Sequence, residues 1–119
     1  MEAKELRLSL KKQWFEMTKA GIKTEDYREI NEYWMSRFVY AGSYLEKGLN
    51  HTLLINGRWY KPKQFTINTM TLGYPKSGDK ERTLKLEHLG VEIRTGNPEW
   101  GAEPGKLYFV IKHGKIIEQ

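Results

Sequence analysis

The organisation of this chain depends on one segment, GIKTEDYREI, which covers residues 21–30. Its leading glycine is typical of a residue that ends a helix, and the charged run after it is typical of a strand. Side chains alternate between the faces of a strand, so Thr24, Asp26 and Arg28 are predicted to share one face. Lys23 is expected at the turn between helix and strand, at the entrance to the same face. Charges on a face turned inward or toward a cleft are costly unless they pair or contact a ligand. The segment is therefore where the sequence points to chemistry.

Length and composition favour one domain over residues 1–119. Of the 119 residues 39% are hydrophobic, and no apolar run approaches the ~20 residues that a membrane-spanning helix needs. The chain has no cysteine, which excludes disulfides and thiolate zinc sites and is consistent with an expected cytoplasmic location. Its three histidines lie far apart without ligand-like spacing, so no metal is expected, and no phosphate-binding or dinucleotide fingerprint suggests a cofactor.

A mild basic bias leaves two interpretations open. The net charge is +5, which either keeps the protein soluble or attracts phosphates, because bound lysine and arginine release counterions. Several cations near a predicted hairpin tip also have a functional and a structural interpretation. They either contact a nucleic-acid backbone or place charge on strand edges and so prevent aggregation. These cations are Lys61, Lys63, Lys76, Lys80, Arg82 and Lys85.

The N-terminal part predicts two strands and two short helices. Glu5–Leu10 alternates polar and apolar residues as a half-buried strand does, and a helix is predicted over Lys11–Ala20 with Ser9 as a possible cap. A second strand is expected over Thr24–Ile30. Asn31 is a plausible N-cap for a second helix over Glu32–Phe38. A loop is predicted over Val39–Asn50.

The remainder of the chain has the pattern of strands. Thr52–Ile55 and Arg58–Tyr60 flank Asn56-Gly57, a pair that is typical of a hairpin turn. Further strands are predicted over Gln64–Tyr74, over Arg82–Arg94 with a bend at residues 88–90, and over Leu107–Ile117 with a break at His113-Gly114. Both His88 and His113 are interpreted as surface or bend residues. The element order predicts a small α+β domain, and the glycine-marked bends favour a curled, barrel-like sheet.

Two motifs resemble the ASCH family, which has a PUA-like fold, a small β-barrel with two short N-terminal helices. Gly21-x-Lys23-Thr24-x-Asp26-x-Arg28, together with residues 8–12, is similar to the N-terminal motif of that family, and the likeness continues to Trp34. Residues 96–102 and 110–117 look like the closing loop and strand of a bacterial and bacteriophage subgroup, whereas residues 39–80 match only by pattern. The resemblance implies a single ASCH domain over the whole chain.

The resemblance also implies a function and a site. Members of the family are thought to bind RNA or nucleotide-like ligands in a charged cleft between the helices and the barrel. Membrane and metal partners are not implied, and the oligomeric state is left open. The residues expected to bind the ligand are Lys23, Thr24, Asp26, Arg28, Arg37, Glu99 and Trp100.

An enzymatic alternative comes from one branch of the family, which hydrolyses acetylcytidine through a lysine, a threonine and a glutamate. Lys23 matches that lysine, but Asp26 stands where the branch has its threonine, and a carboxylate does not replace a hydroxyl nucleophile. Glu99 is a candidate for the glutamate by chemistry alone. If the protein is an enzyme, these three residues are the expected catalytic groups.

Each proposed site residue also has a structural interpretation. Lys23, Asp26 and Arg28 are either a ligand cradle or an ion-pair cluster that joins helix to sheet. Trp100 either stacks on a base or pins a loose Gly/Pro loop to the core. The aromatic side chains of residues 33, 34 and 38 are interpreted as core residues and Arg37 as part of a solvated face, although Arg37 is also among the residues expected to bind the ligand. A module that binds another protein is a third possible function.

Overall fold

The computed structural model describes residues 4–42 and 52–118 as seven strands and two helices, so the chain is a small α+β protein, as predicted. Residues 43–50 of the predicted loop lie outside the described residues. One sheet has the strand order β1-β5-β6-β7-β2, and β3 pairs with β4 in a second sheet. The elements are β1 (Glu5–Leu10), α1 (Lys12–Lys19), β2 (Glu25–Arg28), α2 (Glu32–Phe38), β3 (Leu53–Ile55), β4 (Arg58–Tyr60), β5 (Ile67–Leu72), β6 (Thr83–Thr95) and β7 (Leu107–Glu118).

The chain is divided into two compact units, each built from more than one segment. The first unit consists of Met1–Asp26, Phe65–Gly90 and Ile111–Gln119. The second unit consists of Tyr27–Gln64 and Val91–Val110.

The first unit is organised by the pairing of β1 with β5 and of β5 with β6. β1 lies parallel to β5 and β5 lies antiparallel to β6, so that Leu8 is opposite Met70 and Met70 is opposite Leu84. All three side chains are buried, and Phe15 of α1 is also buried in this unit. The alternation predicted for Glu5–Leu10 is confirmed, because Leu6, Leu8 and Leu10 are buried while the residues between them are exposed or half-buried.

Helix α1 lacks a side-chain cap at its N-terminus. Its N-cap residue is Lys11, which makes no side-chain capping bond, so the predicted capping role of Ser9 is wrong. The physical reason is that Ser9 is still part of β1, where it pairs with Thr71. The helix ends where predicted, since Gly21 has a positive φ of 77°, a conformation that residues with a Cβ rarely adopt.

In the second unit the local turn chemistry behaves as the sequence predicts. The side chain of Asn31 accepts a hydrogen bond from the backbone N–H of Trp34 at 2.9 Å, which caps α2. β3 and β4 form the predicted antiparallel hairpin, and both Asn56 and Gly57 have positive φ values, as this tight turn requires.

The last strand, β7, does not follow the prediction, because it continues through His113-Gly114 without a break. A Cβ on Gly114 would lie 2.7 Å from Oε1 of Glu87, and the same oxygen accepts a hydrogen bond from the N–H of Lys115 at 2.8 Å. The glycine therefore allows close approach of a neighbouring side chain within a continuous strand. The opposite deviation occurs in β5, where regular pairing covers only Ile67–Leu72.

Gly96 provides a test of packing in the second unit. A Cβ at this position would lie 2.7 Å from the Cβ of Ala102 and from two ring carbons of Tyr27. The Tyr27 hydroxyl accepts a hydrogen bond from the N–H of Asn97 at 2.9 Å, so the ring is held in place. We expect Gly96→Ala to lower the free energy of unfolding by about 1–3 kcal/mol through overpacking, measured by urea denaturation. An unchanged urea midpoint would contradict this packing arrangement.

Candidate ligand-binding site

A buried ion pair lies in the first unit, within residues 21–30. Lys23 and Asp26 are only 3% and 5% exposed, and the Lys23 Nζ lies 3.4 Å from Oδ1 of Asp26. The ammonium also donates to the backbone carbonyl of Glu25 and lies 5.8 Å from the ring centroid of Trp14. Burial of two charged groups is costly unless they pair, and here the ion pair and these additional contacts offset that cost.

A second polar group, centred on Asn68, is buried in the same unit. The Asn68 Nδ2 donates to Nδ1 of His113 at 2.6 Å and to the backbone carbonyl of Lys112 at 3.4 Å. Its Oδ1 lies 2.7 Å from Nδ1 of His88. A carbonyl oxygen only accepts hydrogen bonds, so the NH₂ group must be the end of the amide that faces Lys112. The orientation of the amide is therefore defined by its surroundings.

This orientation determines the protonation of both imidazoles. Nδ1 of His113 accepts from Asn68, so the proton of the neutral ring is on Nε2, whereas Nδ1 of His88 donates to Asn68. The Nε2–H of His113 is buried and has no hydrogen-bond partner among residues 4–42 and 52–118. An unpaired buried donor costs about 1–3 kcal/mol, which makes it a group that would gain from a ligand or from a small rearrangement.

Burial keeps both histidines neutral at pH 7. It lowers the pKa of His113 to about 4, and the charge of Asp26 opposes this shift while the charge of Lys23 adds to it. Burial also lowers the pKa of His88 to about 4. The same part of the first unit thus combines a lysine–carboxylate pair with two neutral imidazoles, which are groups used in binding and in acid–base chemistry.

The structure connects the predicted segment to His113 through the backbone. The carbonyl of Thr24 accepts a hydrogen bond from the N–H of His113 at 3.0 Å, while the rest of Thr24 is exposed. Of the predicted ligand-binding residues in this unit, Lys23 and Asp26 are thus brought together in the interior, and Thr24 contributes its backbone beside them.

The other predicted residues belong to the second unit, where two arginines lie against aromatic rings of α2. The Arg28 guanidinium carbon is 4.9 Å from the ring centroid of Trp34, and that of Arg37 is 5.0 Å from the centroid of Tyr33. The two rings meet edge to face at 4.9 Å. The interpretation of Tyr33 as a core residue is wrong, because it is 56% exposed, whereas Phe38 is fully buried as predicted.

A third contact of the same kind follows the C-terminal end of α2. Tyr40 is 41% exposed, and the ammonium groups of Lys61 and Lys63 lie 5.8 and 5.9 Å from its ring centroid. Lys63 also donates to the carbonyl of Ser36 at 2.9 Å, which holds it near the helix. These side chains form what we call the aromatic–cation surface: Arg28, Tyr33, Trp34, Arg37, Tyr40, Lys61 and Lys63.

Glu99 and Trp100 lie together in one turn of 3-10 helix, Pro98–Trp100. The side chain of Asn97 caps this turn by accepting from the N–H of Glu99 at 2.9 Å. Glu99 is exposed and Trp100 is half-buried, so the ring is partly held by the protein and partly available.

Sequence reasoning missed the three residues of the buried polar group around Asn68. The two-residue periodicity of the strands could have revealed them. Asn68 lies two residues before the buried Met70, and His113 lies two residues after the buried pair Phe109 and Ile111. A polar residue at a core position of an alternating strand indicates a hydrogen-bonded network. The expected break in β7 placed His113 at a bend and so concealed the pattern.

The described residues hold no arrangement typical of a metal centre or a membrane span. Within residues 4–42 and 52–118, no group of three or more histidine, cysteine, aspartate or glutamate side chains is placed to bind a metal ion. In the same part of the chain, no helix is both long and apolar enough to cross a membrane. Comparison of the chain with protein-family models, with curated proteins and with solved structures returned no match.

The pKa of His113 predicts a pH-dependent stability. Its value of about 4 in the folded protein lies below the ordinary 6.5, so the unfolded chain takes up the proton first as the pH falls. The stability that the neutral ring contributes is complete above pH 6.5 and is lost as the pH falls toward 4. His113 should contribute a loss of about 3 kcal/mol for a shift of this size, and His88, whose pKa is also lowered to about 4, adds to it. Urea denaturation across this range measures the combined loss.

Asn68→Asp supplies a matched variant for the same measurement. It replaces the NH₂ group beside Nδ1 of His113 with a carboxylate oxygen, which accepts from the protonated ring. We expect the pKa of His113, followed by NMR of the imidazole carbon-bound protons, to rise in the variant. A wild-type midpoint near 6.5 would contradict the lowering of this pKa by burial. No change in the variant would show that Asn68 does not control this ring.

Proposed function

We propose that this protein is a PUA-like ASCH domain that binds RNA or a nucleotide-like ligand. The observation that carries the proposal is the contact of Arg28 with Trp34 at 4.9 Å. Arg28 is the last residue of the segment that resembles the ASCH motif, and it is also part of the aromatic–cation surface. The family resemblance and the surface chemistry therefore lead to the same residue.

Single-stranded nucleic acids are bound by aromatic rings that stack on bases and by cations that contact the backbone. The aromatic–cation surface supplies both, with Tyr33 and Tyr40 exposed and with Arg37, Lys61 and Lys63 beside them. Arginine also stacks on bases through its planar guanidinium group. This composition favours an unpaired strand or a nucleotide over a double helix.

The aromatic rings are connected to the core of the second unit, which favours a preformed surface. Trp34 stacks on Phe38 with a centroid distance of 5.5 Å and an interplanar angle of 15°, and Phe38 packs on Phe109 at 4.9 Å. Both phenylalanines are fully buried. Rings that are already ordered lose little conformational freedom when a ligand binds, so more of the stacking energy contributes to affinity.

Alanine substitutions on this surface test the proposal. Tyr33→Ala should weaken binding of a labelled oligouridylate by roughly tenfold, because base–aromatic stacking contributes about 1–3 kcal/mol. Arg37→Ala should weaken binding of the oligouridylate to a similar degree. Both affinities are measured by fluorescence anisotropy at constant salt.

Arg58→Ala is the matched control, since it removes the same charge from another exposed position of the second unit. Thermal melts should show all three variants folded, because residues 33, 37 and 58 are exposed. Equal affinity of the Arg37 and Arg58 variants would contradict a specific role for Arg37, and wild-type protein that binds no oligonucleotide would overturn the function.

A hydrolase that acts on a modified nucleoside is the second candidate, and the buried polar groups of the first unit favour it. Lys23, Asp26 and a neutral His113 are groups that could move a proton during hydrolysis. Incubation of wild-type protein with acetylcytidine, followed by chromatography, should then yield cytidine and acetate. Unchanged acetylcytidine after prolonged incubation at high protein concentration would contradict the hydrolase function, and only the binding function would remain.

A further inference from the structure

An open groove of about 520 Å³ lies in the first unit, and none of its lining residues belongs to the site described above. Arg7 of β1 and Lys85 of β6 both lie opposite Thr69 of β5, so the three side chains are in one row on the same face of the sheet. Lys80, Ser77 and further residues of the turn before β6 complete the lining. The groove thus combines three cations with the hydroxyls of residues 77 and 83.

The two carboxylates in the groove are already engaged. Glu5 accepts a hydrogen bond from the Thr69 hydroxyl and lies 3.9 Å from the Arg7 guanidinium. Asp79 accepts from the backbone N–H of Arg82 at 3.3 Å and pairs with the guanidinium of the same residue at 3.7 Å. Neither carboxylate is thus a ready partner for the two lysines of the groove.

Lys80 and Lys85 are available to a ligand. Over residues 4–42 and 52–118, the ammonium group of neither lysine takes part in a hydrogen bond, an ion pair or a contact with an aromatic ring. Lys80 is exposed and Lys85 is half-buried. Two such cations beside hydroxyl groups form an arrangement that suits phosphate oxygens, which accept from both kinds of donor.

An exposed aromatic ring lies next in sequence to a residue that lines the groove. Tyr74 is 96% exposed and directly precedes Pro75, which lines the groove. A ring in this position exposes apolar surface at a cost unless something covers it. Bases of a single strand stack on such rings while the backbone follows neighbouring cations.

We propose that this groove binds the phosphodiester backbone of single-stranded nucleic acid, with Lys80, Lys85 and Arg7 on the phosphates and Tyr74 against a base. The nature of the ligand rests on the proposed function. The groove adds a contact surface that shares no residue with the aromatic–cation surface. It therefore predicts that an oligonucleotide binds more tightly than a mononucleotide.

The test compares the double variant Lys80→Gln/Lys85→Gln with wild-type protein at several salt concentrations. Each lost phosphate contact to a single strand lowers the slope of log affinity against log salt by about 0.7, so the double variant should lose about 1.4. Its affinity for a labelled oligouridylate should fall by roughly tenfold, while its affinity for uridine monophosphate should remain unchanged. Tyr74→Ala should weaken oligonucleotide binding with the salt slope unchanged.

Lys115→Gln is the control, because it neutralises one exposed lysine of the same unit outside the groove. If the double variant keeps the wild-type slope and affinity while Arg37→Ala weakens binding, the groove proposal is wrong and the proposed function stands. If the double variant weakens binding and Arg37→Ala does not, the proposed site is wrong and the groove is the nucleic-acid surface. If wild-type protein binds no oligonucleotide, both are overturned.

Discussion

The amide of Asn68 imposes the constraint on which the polar interior of the first unit depends. It lies on β5 with no exposed surface, and its two ends contact His88 on β6 and His113 with Lys112 on β7. Because the Lys112 carbonyl can only accept, the amide has one satisfactory orientation. A buried polar network of this kind is costly when any member is unsatisfied, so it specifies one arrangement of strands more strongly than apolar packing does.

That arrangement has consequences for the ion pair beside it. Burial lowers the pKa of His113 to about 4 and so keeps the ring neutral, while Asn68 donates a hydrogen bond to its Nδ1. A neutral ring competes weakly with Lys23 for the Asp26 carboxylate. Lys23 and Asp26 can thus stay paired at 3.4 Å although each is more than nine-tenths buried. The single unsatisfied group is the Nε2–H of His113, within the described part of the chain. The two buried charges of residues 21–30 are therefore held by defined contacts, which suits a binding site.

Local signals made much of the fold predictable from sequence. The Asn31 cap, the Asn56-Gly57 turn and the alternation of Glu5–Leu10 each act through neighbouring residues, and each was confirmed. The continuity of β7 and the tautomer of His113 were not predictable in this way, because they depend on Glu87 and Asn68, which are distant in sequence. The same distinction holds for the candidate site. The motif residues were predicted from the sequence, whereas the hydrogen bonds around Asn68 and the aromatic partners of the arginines became visible only in the structure.

We propose that the aromatic–cation surface is where a nucleic acid binds. The most direct test of this proposal is an NMR titration of isotope-labelled protein with oligouridylate, observing the arginine Nε–H and tryptophan indole signals. We expect saturable shifts of the Arg28, Arg37 and Trp34 signals, because a base that stacks there changes the ring currents and hydrogen bonds at these groups. Saturable binding that leaves these three signals unshifted would show that the nucleic acid binds elsewhere, and the absence of any shift at low salt would show that it does not bind.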